Sequence, residues 1–149
     1  MQEAKYYEKL DNELVWCHLC PQNCKIKPGR KGICRARQNQ EGVLYTLNYG
    51  KLTSWGIDPI EKKPLYRFYP GSLIFSVGTF GCNFRCGGCH NLEVSWGLAA
   101  LDELARGESQ AAYATPQELV AAALRHRVEG IAFTYSEPAV WLEYVLDVA

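Results

Sequence analysis

Seven cysteines divide this chain into a group of four, Cys17, Cys20, Cys24 and Cys34, and a group of three, Cys82, Cys86 and Cys89. In a reducing compartment, thiols clustered this way bind metal or do chemistry more often than they pair as disulfides. Trp16 to Arg37 is rich in Cys, Gly, Pro and Lys. It reads as loops that something other than an apolar core must hold together.

Composition narrows the class. Of 149 residues, 48% are hydrophobic and 21% charged, the balance of a globular chain. Sixteen Lys and Arg cancel sixteen Asp and Glu, which gives no electrostatic case for nucleic acid or an anionic membrane as partner. The first ten residues are polar and lack the apolar stretch of a signal peptide. The longest apolar runs, such as Leu73 to Val77, are too short to span a bilayer. A cytoplasmic location is expected.

Local patterns give the expected elements. Residues 3–14 suggest a short helix. Residues 43–55 alternate in polarity around Asn48-Tyr49-Gly50 and suggest a β-hairpin. Ile57 to Ser72, with its prolines and glycine-bounded turns, suggests a connector with little regular structure. Leu73 to Gly78 reads as a short buried strand that runs directly into the second cysteine group. Thr115-Pro116-Gln117-Glu118 is a capping box with proline at the first helical position. The helix it opens should bury Leu119, Val120, Ala123 and Leu124, end near Arg127 and stop at Gly130. Ile131 to Tyr135 reads as the next strand, and a helix through Trp141, Val145 and Val148 follows Ser136-Glu137-Pro138. Residues 97–112 read as a helix or ordered loop. Strand, helix, strand, helix from residue 73 onward implies βαβ units and a parallel sheet. Two such units cannot close a barrel or cover both faces of a parallel sheet, so the sequence reads as the front part of a longer one.

Cys82, Cys86 and Cys89 are spaced by three and two residues just past a strand end, where α/β folds place active sites. Thiolates at such spacings can wrap one cubane with one sulfur per iron, and three of them leave the fourth iron of a [4Fe-4S] cluster open to a ligand. Gly87 and Gly88 allow tight curvature and close approach of the backbone to that ligand. A ferredoxin loop would add a fourth cysteine followed by proline, but position 90 is His and no cysteine comes later. A zinc ribbon joining Cys86 and Cys89 to Cys17 and Cys20 would need a gap of about 15–20 residues, several times shorter than the one here. A thioredoxin-type pair at Cys86 and Cys89 leaves Cys82 without a role. Cys17, Cys20, Cys24 and Cys34 make a compact four-thiolate set that suits either zinc or an auxiliary iron–sulfur cluster, with His18 as a substitute ligand. Such a metal would order a segment that has little core.

The Cys-x₃-Cys-x₂-Cys pattern resembles that of radical S-adenosylmethionine (SAM) enzymes, and Phe80 to Cys86 looks like the branch of pyruvate formate-lyase activating enzymes. The order of motifs is similar to the radical SAM protein of the AmmeMemoRadiSam system. It matches in Cys17-His18-Leu19-Cys20-Pro21 with Cys24, in Pro59 to Ser72, in His90-Asn91 with Glu93-Val94-Ser95, and in Tyr135-Ser136-Glu137-Pro138. The resemblance implies an α/β chain, the N-terminal part of a partial (β/α)6 TIM-like radical SAM barrel, preceded by a small Cys-rich metal-binding domain. Residues 1–71 would be that accessory domain with hairpin and connector, and residues 72–149 the first two βα units.

The resemblance also implies an enzyme whose [4Fe-4S] cluster, on Cys82, Cys86 and Cys89, reductively cleaves SAM to a 5′-deoxyadenosyl radical. That radical would take hydrogen from a substrate, a small molecule or a protein, in the manner of a glycyl-radical activase. Cofactor contacts are implied at Phe84, Gly88, Ser136 and Glu137, with Gly88 where an aromatic residue is usual and Ser136 where glycine is usual. A flavodoxin or ferredoxin would donate the electron, and two βα units alone should cleave SAM slowly or not at all. The competing expectation is a metal-binding structural or Fe–S electron-transfer module without SAM chemistry.

Overall fold

A computed structural model describes residues 1–97 and 112–149. Of the segment 97–112, read from sequence as a helix or ordered loop, residues 98–111 lie outside the described residues. The N-terminal region builds two small antiparallel sheets. In one, β2 (Tyr7–Lys9), β3 (Val15–Cys17) and β4 (Lys25–Ile26) lie in that order. In the other, β6 (Val43–Thr46) lies between β1 (Gln2–Glu3) and β5 (Arg37–Gln40). Ala4, Val15, Cys17, Ile26 and Leu44 form the small core between them. Buried Asn39 ties the pieces together, donating to the carbonyls of Glu13 and Ile26 and accepting from the Gly42 amide.

The sheet that carries the three-cysteine loop has β9 (Leu73–Gly78) at its centre. β11 (Ile131–Phe133) pairs with it in parallel, Ile131 opposite Phe75 and Phe133 opposite Val77. β8 (Ser54–Pro59) pairs antiparallel on the other side, Asp58 opposite Ile74. Two short strands, β7 (Lys51–Leu52) and β10 (Ala112–Tyr113), make a separate ribbon.

Helices α2 (Pro116–Arg125) and α3 (Leu142–Val148) cover one face of the central sheet. Leu119 and Ala123 share a side of α2 because they are four residues apart. They meet Phe75, Val77, Trp141 and Tyr144 in the main core. Each large side chain buried there contributes about 1.5–3 kcal/mol. Ser76 and Gly78 alternate onto the opposite face, which leaves that face of β9 for polar work. No helix among the described residues is long and apolar enough to cross a membrane.

Several sequence expectations need correction. Residues 3–14 form no helix. Asn12 and Glu13 both take positive φ, and the Leu14 amide donates to the Asp11 carbonyl, which closes a tight hairpin turn between β2 and β3. A hairpin exists near the expected one but is displaced, with β5 and β6 joined through Glu41 and Gly42, both at positive φ. Asn48-Tyr49-Gly50 instead leads into β7, whose partner β10 lies far along the chain. The expected connector is regular at its start. Pro59 ends an edge strand, where a missing N–H is tolerated, and a 3₁₀ turn follows at Ile60–Lys62.

The capping box forms as expected, with the Glu118 amide donating to Thr115 Oγ1 and the Thr115 amide to Glu118 Oε2. The helix nonetheless ends at Arg125, and Arg127 at φ 52° takes the left-handed position that Gly130 was expected to supply. Leu124 is 71% exposed and Val120 only half-buried, so the buried stripe is narrower than expected.

Candidate functional site

The loop after β9 is set by close packing on the N-terminal segment. Gly81 sits at φ +87°, and a Cβ there would lie 2.8 Å from both the Ala36 Cβ and the Cys34 carbonyl oxygen. Its amide donates to the Ser95 carbonyl at 2.8 Å, which ties the loop to α1 (Leu92–Trp96). Beyond it, the Asn83 carbonyl accepts from Gln22 Nε2 at 3.0 Å. Both cysteine groups therefore share a wall: Cys34 abuts the residue before Cys82, and the loop after Cys20 grips the residue after it.

Cys82, Cys86 and Cys89 open onto one cleft of about 240 Å³, together with Phe84. Cys86 is exposed, while Cys82 and Cys89 are half-buried. Leu92 and Trp96 supply apolar wall, and Arg35 and Arg85 supply charge. Cys89 Sγ lies 3.9 Å from Ser95 Oγ, and the Phe84 amide points at Cys82 Sγ from 3.5 Å. Among the described residues, none lies within 4 Å of where a Cβ of Gly88 would be, so none of them demands glycine there. Two buried side-chain oxygens beside the loop, Thr79 Oγ1 and Asn83 Oδ1, have no partner among the described residues. An unpaired buried oxygen costs about 1–3 kcal/mol unless a water or a further group satisfies it.

The first cysteine group surrounds a different and almost closed space. Cys17, Cys20, Cys24 and Cys34 line a void of about 10 Å³, roughly the room of one water. Burial raises the thiol of Cys17 above its usual range and pushes that of Cys34 up to about 11. His18 does not line this void; it packs on Trp16 with ring centres 4.4 Å apart and lies 3.4 Å from Glu8. Among the described residues, no group of three or more His, Cys, Asp or Glu side chains is gathered tightly enough to hold one metal ion. The thiols of each group face a common space rather than a common point. A cubane, with one sulfur per iron, separates its thiolates more widely than a single ion does.

The turn after β11 lies beside β9, with the Thr134 amide donating to the Val77 carbonyl at 2.8 Å. Ser136 and Glu137 are half-buried there but do not line the cysteine cleft. Glu137 Oε1 accepts from the Ala139 amide at 3.4 Å and caps the 3₁₀ turn Pro138–Trp141.

Sequence reasoning missed a polar cluster on the open face of the central sheet. Asp58 Oδ2 accepts from Ser76 Oγ at 2.8 Å, from Lys63 Nζ at 3.1 Å and from the Tyr135 hydroxyl at 3.3 Å, and Oδ1 accepts from Lys62 Nζ at 2.9 Å. The hydrogen bond from Lys62, with those from Ser76 and Lys63, holds the Asp58 carboxyl well below the usual carboxylate range. The Tyr135 ring lies over Gly78, where a Cβ would be 2.7 Å from it, and Tyr135 itself takes φ 68°. The i,i+4 spacing of Asp58 and Lys62 was a visible signal. The β8–β9 register that adds Ser76 was not. Arg35, Arg85 and Trp96 were also unread.

No family model matches the chain. No solved structure matches it either. It is 47% identical over 147 residues to an uncharacterized protein of Methanocaldococcus jannaschii, a match covering 99% of this chain and 42% of that relative. The chain thus spans less than half the length of the relative it resembles.

Proposed function

We propose that this chain carries the cluster-binding part of a radical SAM enzyme, with Cys82, Cys86 and Cys89 as ligands to a [4Fe-4S] cluster. The observation that carries the reading is the cleft: three thiols and no fourth line one solvent-open space at the C-terminal end of a parallel-paired strand. Three thiolates leave one iron free for a ligand. When bound, such a cluster supplies the electron and the coordination site that cleave SAM to a 5′-deoxyadenosyl radical for hydrogen abstraction. Phe84 lines the space in which the cofactor would lie, whereas Gly88 is not part of its lining. The Gly81 contact and the Gln22 bond keep the loop from collapsing. The fold that goes with this reading is the front of a (β/α)6 barrel, supported by the parallel β9–β11 pair with helices on one face. A cytoplasmic enzyme fed by a flavodoxin or ferredoxin fits the thiol chemistry, since exposed Cys86 needs a reducing compartment.

The first group would hold a metal of its own, zinc or an auxiliary iron–sulfur cluster, on four thiols that face one almost closed space. A second reading, a metal-binding or electron-transfer module without SAM chemistry, draws on one observation: Glu137 is engaged in capping its own 3₁₀ turn, and neither it nor Ser136 reaches the cleft. The two part on one experiment, anaerobic reconstitution followed by dithionite and SAM. Release of 5′-deoxyadenosine that depends on Cys82, Cys86 and Cys89 supports the enzyme. A reconstituted cluster that never cleaves SAM supports the module.

A further inference from the structure

The cleft beside Cys82, Cys86 and Cys89 holds two positive charges that the reading above leaves without a task. Arg85 lies between Cys82 and Cys86. Arg35 comes from the other cysteine group, directly after Cys34. The Arg85 guanidinium carbon is 4.0 Å from the centre of the Trp96 indole, and that of Arg35 is 5.7 Å away. A guanidinium held over an indole is oriented without giving its N–H donors to a protein acceptor. Among the described residues, neither arginine pairs with a carboxylate.

The placement of Arg35 is built into the backbone. It takes φ +60°, a left-handed conformation that costs a residue with a side chain, and its amide donates to the Gly32 carbonyl at 2.9 Å. Its neighbours Cys34 and Ala36 are buried, 7% and 0% exposed, and are the atoms that Gly81 abuts. A strained, anchored arginine delivered across an interface into a cleft of thiols calls for a ligand.

We propose that Arg35 and Arg85 form a clamp for an anionic group, a carboxylate or phosphate, on the molecule that occupies this cleft. Planar guanidinium donors match either anion two bonds at a time. The inference rests on the reading of the cleft as the place where SAM meets an open cluster, and the anion has two sources: the carboxylate of SAM itself, or a substrate bound beside it.

The test uses the reconstituted chain as wild type, R35Q, R85Q and R35K, at iron content measured for each. Dissociation constants are taken for SAM and for decarboxylated SAM, which lacks the carboxylate. Inorganic phosphate is then added to the SAM-saturated protein and to the SAM-free protein, and its ³¹P line width is read. If the cofactor's carboxylate is clamped, R35Q and R85Q weaken SAM by roughly ten- to a hundredfold, leave decarboxylated SAM within about twofold, and R35K recovers part of the loss. If a substrate anion is clamped, SAM binding is unchanged and phosphate broadens on the SAM-loaded wild type but not on R35Q. Equal weakening of both SAM compounds overturns the clamp, as does a lack of arginine dependence for every probe. Iron content that falls in R35Q and R85Q also overturns it, because the charges would then serve the thiolates. A wild type that forms a cluster but binds no SAM overturns the reading of the cleft instead. Phosphate on the SAM-free protein then still decides for or against the clamp.

Discussion

Arg37 and Glu143 form a buried ion pair that joins the N-terminal cysteine segment to the last helix. The guanidinium nitrogen lies 2.7 Å from one carboxylate oxygen and 2.8 Å from the other, with the side chains 1% and 2% exposed. The Lys5 amide also donates to the Glu143 carboxylate at 2.7 Å, and the Lys5 carbonyl accepts from Arg37. The pair lies between the two halves that sequence reading divides at residue 71, so it should report on their cohesion.

Removing one partner strands the other charge in the interior. Glu143→Met and Arg37→Met should each lower stability by about 3–5 kcal/mol, and the double change, which leaves two apolar residues of similar size, should cost less than the sum. Urea unfolding of the four proteins checks this; full additivity would show that the pair acts as two independent groups.

Asp58 should make a pH-dependent contribution. Its carboxyl is held below its ordinary value, chiefly by the hydrogen bond from Lys62. The depressed value means that the contribution is present above the unfolded carboxylate range and is lost as pH falls below about 4. Asp58→Asn should therefore narrow its stability gap to the wild type as pH drops from 5 toward 2. The same substitution should loosen Tyr135, whose hydroxyl bonds Asp58. A gap that is constant across this range would remove Asp58 as the anchor of the cluster.

Metal at Cys17, Cys20, Cys24 and Cys34 should compete with protons. Burial pushes the Cys34 thiol up to about 11, so at neutral pH the metal must displace its proton. Cobalt titration should give a thiolate charge-transfer band whose apparent affinity rises with pH, and Cys34→Ser should weaken that affinity by at least the roughly ten- to a hundredfold that loss of a residue merely orienting a ligand costs. An undiminished band in Cys34→Ser would take that residue out of the ligand set. In the absence of metal the raised value has the opposite sign for folding: Cys34 stabilises the fold below its unfolded value and ceases to do so as pH rises through about 11.

Thr115→Ala removes the side-chain half of the capping box at the start of α2 and leaves the Thr115 amide its bond to Glu118. It should cost about 1 kcal/mol. The drop should appear in urea unfolding without changing metal content.

Local signals in the sequence were the legible ones. Cysteine spacing located both thiol groups, Thr115 and Glu118 located a helix start, and the apolar runs at Leu73 and Ile131 located the two strands that pair in parallel. What stayed hidden depends on register and on contacts between distant segments. Arg35 joins the second cleft only because Gly81 lets two backbones meet. Ser76 faces Asp58 only through the pairing of β8 with β9. Asn48 looked like a hairpin turn, yet it is fully buried, with its side chain on the carbonyls of Phe80 and Val140 and its own carbonyl accepting from Trp141. Backbone conformation was hidden too, since Arg127 and not Gly130 takes the left-handed position after α2.

The central claim is that Cys82, Cys86 and Cys89 hold a cubane with one iron open. The most direct measurement is iron and sulfide content with Mössbauer spectra after anaerobic reconstitution, for the wild type and for the Cys82→Ala, Cys86→Ala, Cys89→Ala triple variant. The account predicts about four irons and four sulfides in the wild type beyond any metal at the first group, and loss of that complement in the triple variant. It also predicts that SAM shifts the spectrum of a single iron site. Equal iron and sulfide in the two proteins, or a spectrum indifferent to SAM, would contradict it.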